Sequence, residues 1–146
     1  MELRFQVQGK IRRPVAEVFD AVVNPGKLSG YFTTAGASAP LATGTTVMWE
    51  FADFPGPFPV KVLEVERDRR IVLEWESSEG GYDTRVEMEF EPADGDATLV
   101  RISESGWRET PAGVKASYDN CGGWMQMLCS MKAYVEHGIN LREGMF

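Results

Sequence analysis

Histidine and cysteine are scarce in this sequence, and their scarcity limits the chemistry that the chain can support. Its 146 residues include one histidine, His137, and two cysteines, Cys121 and Cys129. Eight residues of helix separate the cysteines by about 12 Å along the axis, too far for a disulfide between them. One histidine and two separated cysteines also fall short of a four-ligand zinc site. We therefore predict reduced cysteines, no bound metal and no cofactor.

Long apolar runs and an excess of basic residues are also missing. No apolar stretch approaches the roughly 18 residues that a membrane span needs. The N-terminal segment alternates polar with apolar residues, whereas a secretory signal has an unbroken apolar block. The net charge of −7 makes the average surface repel nucleic-acid phosphates and anionic lipid. We expect a cytoplasmic protein that neither binds nucleic acid nor inserts into a membrane.

Patterns of catalytic residues are absent as well. The glycines form no phosphate-binding motif between a strand and a helix, and no Ser/His/Asp or Cys/His arrangement is discernible. His137 falls on the polar side of a predicted helix near its C-terminus, where the helix dipole favours a cationic imidazole. We predict no catalytic residue.

Alternation of polar and apolar residues is the feature that the sequence does have. It predicts six strands, which cover residues 3–11, 45–51, 58–66, 70–77, 82–92 and 97–107. In the third of these, Val60 and Val62 share one parity while Leu63 and Val65 take the other, which indicates a β-bulge near Val62. The small-residue segment 33–44 has no periodicity and is predicted to be a loop.

Helical periodicity is found in three places. After Pro14, apolar residues recur at three- and four-residue spacing until Asn24-Pro25 ends the first helix, and a short second helix is predicted around residues 27–31. The last helix is predicted to begin with Thr110 as N-cap and Pro111 in the first turn. It ends near His137-Gly138, which makes it longer than 25 residues.

The two faces of this long helix are predicted from about 100° of rotation per residue. The arc predicted to face protein contains Val114, Cys121, Trp124, Met125, Leu128, Met131, Val135 and Ile139, and the opposite arc contains Asp119, Gln126, Ser130 and His137. Gly122 and Gly123 interrupt the helix at a cost of up to about 1 kcal/mol each relative to alanine. Their presence predicts a close approach by backbone or by a bulky neighbour.

The order strand, two helices, five strands and long helix predicts an α+β fold. We expect one domain, residues 1–146, in which a curved six-stranded antiparallel sheet wraps around the long C-terminal helix. Because a bent sheet cannot touch a straight helix everywhere, a cavity is expected between them.

Three segments, IRRPVAEVFDAVVNPGKLSGYF, DATLVRISESGW and GGWMQMLCSMKAYVEHG, carry a family resemblance. With the element order, they resemble the START-like, or SRPBCC, helix-grip superfamily, in particular the group related to the C-terminal domain of the activator of the ninety-kilodalton heat-shock-protein ATPase. Members often have Trp-Phe where this chain has Tyr31-Phe32, a departure expected at the pocket mouth. The resemblance implies a hydrophobic cavity between helix and sheet, which relatives use for lipids, polyketides, plant hormones or other apolar molecules.

The side chains predicted to line this cavity share an inward parity on the strands or a position in or near the apolar arc. They are Trp49, Phe51, Phe58, Val60, Leu73, Trp75, Met88, Phe90, Trp107, Tyr118, Met125 and Leu128. Aromatic rings and thioethers suit adaptable apolar sites. Trp107 and Tyr118 also carry a polar atom suited to orienting a ligand oxygen, and Asn120 is a weaker candidate for a buried hydrogen-bonding group.

Three functions compete on this evidence. The leading hypothesis is a binding module that holds an apolar small molecule. The second is a cyclase, dehydratase or hydrolase in which Tyr118 or Trp107 polarises a carbonyl in the same cavity. The third is an interaction protein linked to a chaperone ATPase, as the family resemblance implies. A homodimer formed through an exposed strand edge is compatible with each of them.

Overall fold

The computed structural model describes residues 1–146 and contains three helices and seven strands. Their order confirms the predicted α+β class. The bounds are β1 Leu3–Ile11, α1 Val15–Val23, α2 Pro25–Leu28, β2 Gly36–Ala37, β3 Thr46–Phe51, β4 Phe54–Glu66, β5 Arg70–Glu76, β6 Asp83–Ala93, β7 Ala97–Trp107 and α3 Pro111–His137. None of the helices combines the length and the apolar composition that crossing a membrane requires.

The strands form one antiparallel sheet in the order β1-β7-β6-β5-β4-β3-β2. It has seven strands, so the prediction of six is wrong by one. The additional strand, β2, lies in the segment predicted as loop and pairs Gly36 with Glu50 and Ala37 with Trp49. Two residues are too few to show a period, and β2 exists because the free edge of β3 supplies its hydrogen bonds.

The predicted bulge in β4 is confirmed. The register between β4 and β5 shifts between Val62 and Glu64, and Leu63 is 37% exposed while Val62 is buried. The extra residue therefore returns the apolar side chains on either side of it to the interior. The register between β1 and β7 also shifts, between Leu3 and Arg4. The residue of β7 opposite this shift is Gly106, whose φ of 110° only glycine adopts readily.

The ends of α3 are as predicted. The Thr110 side chain accepts a hydrogen bond from the Gly113 amide at 3.0 Å, and Gly138 ends the helix in the left-handed conformation with φ of 70°. Gly113 also permits a close approach, because a Cβ at this position would lie 1.9 Å from the Arg108 carbonyl oxygen.

The predicted inward face of α3 is correct for Trp124, Leu128 and Met131, which are buried, but its edges are displaced by part of a turn. Tyr118 and Met125 lie on the outer face, 74% and 40% exposed, whereas Ser130, predicted on the polar side, is completely buried. The buried face of α3 also contains the small residues Ala116 and Ser117. Small side chains at these positions let the helix pack closely against its neighbours.

The expected close approach at Gly122 and Gly123 is also absent. Both glycines are exposed, and a Cβ at either position would meet no atom within 4 Å. Gly30 is the glycine that a side chain covers: the ring of Tyr134 would lie 2.5 Å from its added Cβ.

Tyr31 lies in the core, away from any opening. Its side chain is completely buried, donates a hydrogen bond to the Ala21 carbonyl at 3.0 Å and packs 5.3 Å from the ring of Tyr134. Burial and the neighbouring Tyr134 raise the pKa of the Tyr31 phenol well above its usual range. The departure from Trp-Phe at this position therefore affects the core, and the neighbouring Phe32 is the residue that faces the opening described below.

Candidate functional site

A carboxylate lies on the inward face of the sheet, on β7, the second strand from one edge. Glu104 follows Val100 and Ile102 on the same side of β7, lies opposite Val86 and Phe5 in the neighbouring strands and is 1% exposed. A buried charge is costly unless hydrogen bonds compensate for it. Glu104 was not among the predicted site residues, although its parity with Val100 and Ile102 already indicated an inward position.

Neutral donors surround Glu104. Its Oε2 accepts from Trp75 Nε1 at 2.9 Å and from the Thr84 hydroxyl at 2.6 Å. Its Oε1 accepts from Trp124 Nε1 at 2.8 Å, and Asn120 Nδ2 lies 3.1 Å from both oxygens. A carboxylate is the side chain that accepts at both oxygens at once. Glu104 thereby fixes two indole rings, one from β5 and one from α3, together with the amide of Asn120.

The two fixed indoles belong to a continuous cluster of rings. Trp75 and Trp124 have ring centroids 5.5 Å apart, and Trp75 also lies 5.7 Å from Phe58 and 6.0 Å from Trp49. Phe51 and Phe32 complete the cluster, with centroids 4.9 Å apart. These separations are typical of favourable aromatic pairs. The cluster therefore forms a stiff apolar surface where the sheet and α3 diverge.

One side of this cluster is open and forms what we call the aromatic groove, which has two adjoining lobes that share Phe51, Trp75 and Asn120. The larger lobe has a volume of about 620 Å³ and extends over Phe58 and Ser77. The smaller lobe, about 170 Å³, lies beside α3 at Gly123 and Trp124. The larger volume is within the range of pockets that hold drug-sized molecules.

Two polar atoms on the groove have no hydrogen-bond partner. The Ser77 hydroxyl is buried and unpaired, although its residue lines the larger lobe. Asn120 turns its amino group to Glu104, because the reverse orientation would place two acceptors together, and its Oδ1 is left unpaired. Polar atoms placed beside apolar rings are the features that orient a ligand.

The C-terminal segment borders the smaller lobe. Arg142 pairs with Asp53 through its Nη2, 2.8 Å from Oδ1, and its guanidinium stacks 4.9 Å from the ring centroids of Phe51 and Phe146. Its Nη1 donates to Gln126 on α3 at 2.9 Å. Arg142 therefore joins the β3–β4 turn to α3 at this end of the groove.

The structure divides the predicted lining residues into three sets. Phe51, Phe58 and Trp75 line the groove. Tyr118 and Met125 are exposed on the outer face of α3, which corrects their predicted inward orientation. The remainder are buried away from the groove, and they are Trp49, Val60, Leu73, Met88, Phe90, Trp107 and Leu128.

Trp107 shows why an inward position does not guarantee a place in the groove. Its ring stacks 5.6 Å from Phe5, at the β1 side of the sheet, and its buried Nε1 has no partner. Of the polar candidates, only Asn120 reaches the groove. Nowhere does the fold bring together three histidine, cysteine or acidic side chains as a metal site would need.

A comparison with known protein families identifies the family of this chain. The model of the family described as Activator of Hsp90 ATPase homolog 1-like protein matches residues 12–136. The chain belongs to this family. The match spans α1 through nearly all of α3, so the elements that build the groove lie inside the AHSA1-like region. No curated protein sequence matches the chain.

Solved structures share the fold of this AHSA1-like protein. DynU16, a putative protein in the dynemicin biosynthetic locus, has a TM-score of 0.81 and 24% identity over 94% of this chain, which spans only 49% of DynU16. SSP2350 from Staphylococcus saprophyticus has a TM-score of 0.79 and 24% identity, over 97% of this chain and 96% of its own. The Aha1 dimer from Colwellia psychrerythraea has a TM-score of 0.73 and 20% identity, over 92% and 97% respectively. These likenesses confirm the predicted helix-grip fold, and a homodimer of this chain stays a prediction.

Proposed function

We propose that the protein is a small-molecule-binding module that holds an apolar, ring-containing ligand in the aromatic groove. The observation that carries this proposal is the open side of the ring cluster, where Phe51, Phe58 and Trp75 border a space of about 620 Å³. Apolar side chains left at an opening rather than packed against protein are typical of ligand sites.

The polar atoms of the groove support a ligand with one polar group. The unpaired Ser77 hydroxyl and the unpaired Oδ1 of Asn120 lie on the two sides of the larger lobe, one after β5 and the other on α3. A buried polar atom without a partner costs about 1–3 kcal/mol. A ligand that pairs with the buried Ser77 hydroxyl recovers part of that free energy on binding, and the half-buried Asn120 offers a further acceptor.

A fluorescent neutral probe tests the groove directly. We expect N-phenyl-1-naphthylamine to increase in fluorescence on binding the wild-type protein. G123L should reduce its affinity at least about tenfold, the effect of losing 1.4 kcal/mol. A side chain at position 123 meets no atom within 4 Å of its Cβ and extends over the smaller lobe. Because leucine is a better helix former than glycine, this variant should remain folded.

G122L is the matched control, because Gly122 is equally exposed on α3 but lines neither lobe. It should bind the probe as the wild type does. Equal binding by all three proteins would place the probe outside the smaller lobe, and no binding to the wild type would count against the function itself. Native mass spectrometry of the purified protein would identify a ligand that it retains from the cell.

The enzymatic alternative required Tyr118 or Trp107 in the groove, and the structure places neither residue there. Tyr118 is 74% exposed, and neither Tyr118 nor Trp107 lines the groove. A chaperone-linked role is favoured only by the description of the family. Stimulation of a chaperone ATPase by the purified chain is the assay for that alternative, and we expect none.

A further inference from the structure

The charges around the aromatic groove are predominantly negative. The larger lobe is lined by Glu74, Glu76 and Asp83 against a single cation, Lys61. Lys61 Nζ lies 2.8 Å from Asp83 Oδ2, and this hydrogen bond raises the pKa of Lys61, so the pair is neutral as a whole. Neither Glu74 nor Glu76 forms an ion pair. The charged residues that line the larger lobe therefore carry a net charge of −2, and Arg85 lies opposite Glu74 on the neighbouring strand β6.

A further negative charge lies behind the groove. Glu104 lines neither lobe but accepts hydrogen bonds from Trp75 and Asn120, which do, and its four partners are all uncharged. Attraction between charges is stronger in a partly desolvated site than in water. At the smaller lobe, by contrast, Arg142 is already paired with Asp53 at 2.8 Å.

The rings of the groove are suited to a cation. The faces of phenylalanine and tryptophan attract positive charge through the ring quadrupole, and the chain already uses one of them in this way. The Arg142 guanidinium lies 4.9 Å from the centroid of Phe51, a ring that both lobes share. A positively charged ligand group would meet the same kind of surface at Phe58 and Trp75.

The free hydrogen-bonding atom of Asn120 is an acceptor, so it favours a ligand that carries a hydrogen-bond donor. Glu104 holds the amino group of Asn120 at 3.1 Å, so Asn120 presents Oδ1, which only accepts. A ligand carboxylate or phosphate would meet this acceptor in a groove whose lining is net negative. An ammonium group would meet Asn120 Oδ1 and the ring faces, and the charge of the rim would attract it.

From this charge complementarity, and resting on the function proposed above, we propose that the ligand is a hydrophobic organic cation, an aromatic or alicyclic body bearing a protonated amine. The apolar body lies against Phe51, Phe58 and Trp75, and the ammonium group lies near Asn120 Oδ1, while Glu74 and Glu76 at the rim add a negative potential. The groove selects against anions of the same shape.

Three probes of one shape and different charge test this inference. They are 2-naphthylmethylamine, 2-naphthalenemethanol and 2-naphthoate, measured by displacement of N-phenyl-1-naphthylamine and by calorimetry. The amine should bind roughly tenfold more tightly than the alcohol, and the carboxylate most weakly. Raising the ionic strength should reduce this preference.

The double variant E74Q/E76Q tests whether the preference for the amine over the alcohol comes from the groove. It should lower the affinity for the amine toward that for the alcohol and leave the affinity for the alcohol unchanged. E89Q is the matched control, because Glu89 lies on β6 outside the groove and forms no ion pair.

The outcomes separate the two proposals. Equal affinities for amine and alcohol would overturn the inference about charge and leave the binding function standing. A preference for the amine that E74Q/E76Q does not reduce would overturn its assignment to these carboxylates. Failure of every probe, including N-phenyl-1-naphthylamine, would overturn the binding function together with this inference.

Discussion

At the scale of single residues, Glu104 organises the candidate site without lining it. Its oxygens hold the indole nitrogens of Trp75 and Trp124 at 2.9 and 2.8 Å, so the rings that border the groove cannot rotate freely. Preorganised rings lose less conformational freedom when a ligand binds. Glu104 is therefore a positioning residue for the groove.

Replacing Glu104 with glutamine should weaken both the fold and the groove. A glutamine offers one acceptor and one donor where five hydrogen-bond contacts converge, so at least one indole N–H loses its partner. We expect E104Q to reduce the free energy of unfolding by about 1–3 kcal/mol, measured by urea denaturation. The near-ultraviolet circular dichroism of the tryptophans should change as well.

E89Q is the control for this experiment too, since Glu89 is exposed and its substitution should alter stability by less than about 0.5 kcal/mol. An E104Q protein with wild-type stability and an unchanged aromatic spectrum would show that the carboxylate does not fix the rings.

At the scale of elements, α3 illustrates how glycines in one helix have opposite roles. Gly113 lies in the first turn, where its missing Cβ makes room for the Arg108 carbonyl. Gly122 and Gly123 are exposed in the middle of the helix and contact nothing at that position. The first glycine permits the chain to turn from β7 into α3, and the other two only increase the entropy cost of forming the helix.

Alanine substitutions should therefore change stability in opposite directions. In G113A the new Cβ meets the Arg108 oxygen, and we expect a loss of about 1–3 kcal/mol, as for other overpacked sites. G122A should increase the free energy of unfolding by up to about 1 kcal/mol. Thermal and urea unfolding of the two variants measure both effects, and a destabilised G122A would indicate a contact at Gly122 that the structure does not contain.

At the scale of the whole molecule, Glu136 links the end of α3 to the junction of β1 and α1. Its side chain is 2% exposed and accepts from Arg12 Nε at 2.9 Å, from the Arg12 amide at 2.8 Å and from Lys132 Nζ at 2.6 Å. Burial by itself would raise the pKa of Glu136, but the hydrogen bonds from Lys132 and Arg12 outweigh it and lower the pKa to about 2. The network closes the molecule at the end that carries the β6–β7 connection, because Ile11 pairs with Thr98 at the start of β7.

This lowered pKa predicts a loss of stability in acid. A carboxyl with a lower pKa in the folded state contributes stability that is complete above its unfolded pKa of 4.5 and is lost as the pH falls through about 2. E136Q should be destabilised at neutral pH and should lose less stability between pH 4.5 and 2 than the wild type. Urea unfolding across this range measures the difference.

E2Q, at an exposed position outside any ion pair, should follow the wild-type profile. If E136Q and the wild type lost the same free energy of unfolding between pH 4.5 and 2, Glu136 would not be the cause of the loss of stability in acid.

The fold was largely predictable because local signals determine it. Pro14, Thr110 and Gly138 mark helix ends, and the change of parity after Val62 marks the bulge, since each depends on residues close in sequence. The short strand β2 was not predictable, because its hydrogen bonds come from β3 rather than from a pattern of its own.

The sequence by itself determined the order of the elements, the caps, the bulge and the family. Only the tertiary structure decided which face of α3 is buried and that Glu104 lies between two indoles from different elements. It also decided that Phe51, Phe58 and Trp75 border an opening while Met88 and Leu128 fill the core. The physical reason is that periodicity reports which side of an element is apolar, whereas the exposure of a side chain depends on how closely a distant segment packs against it.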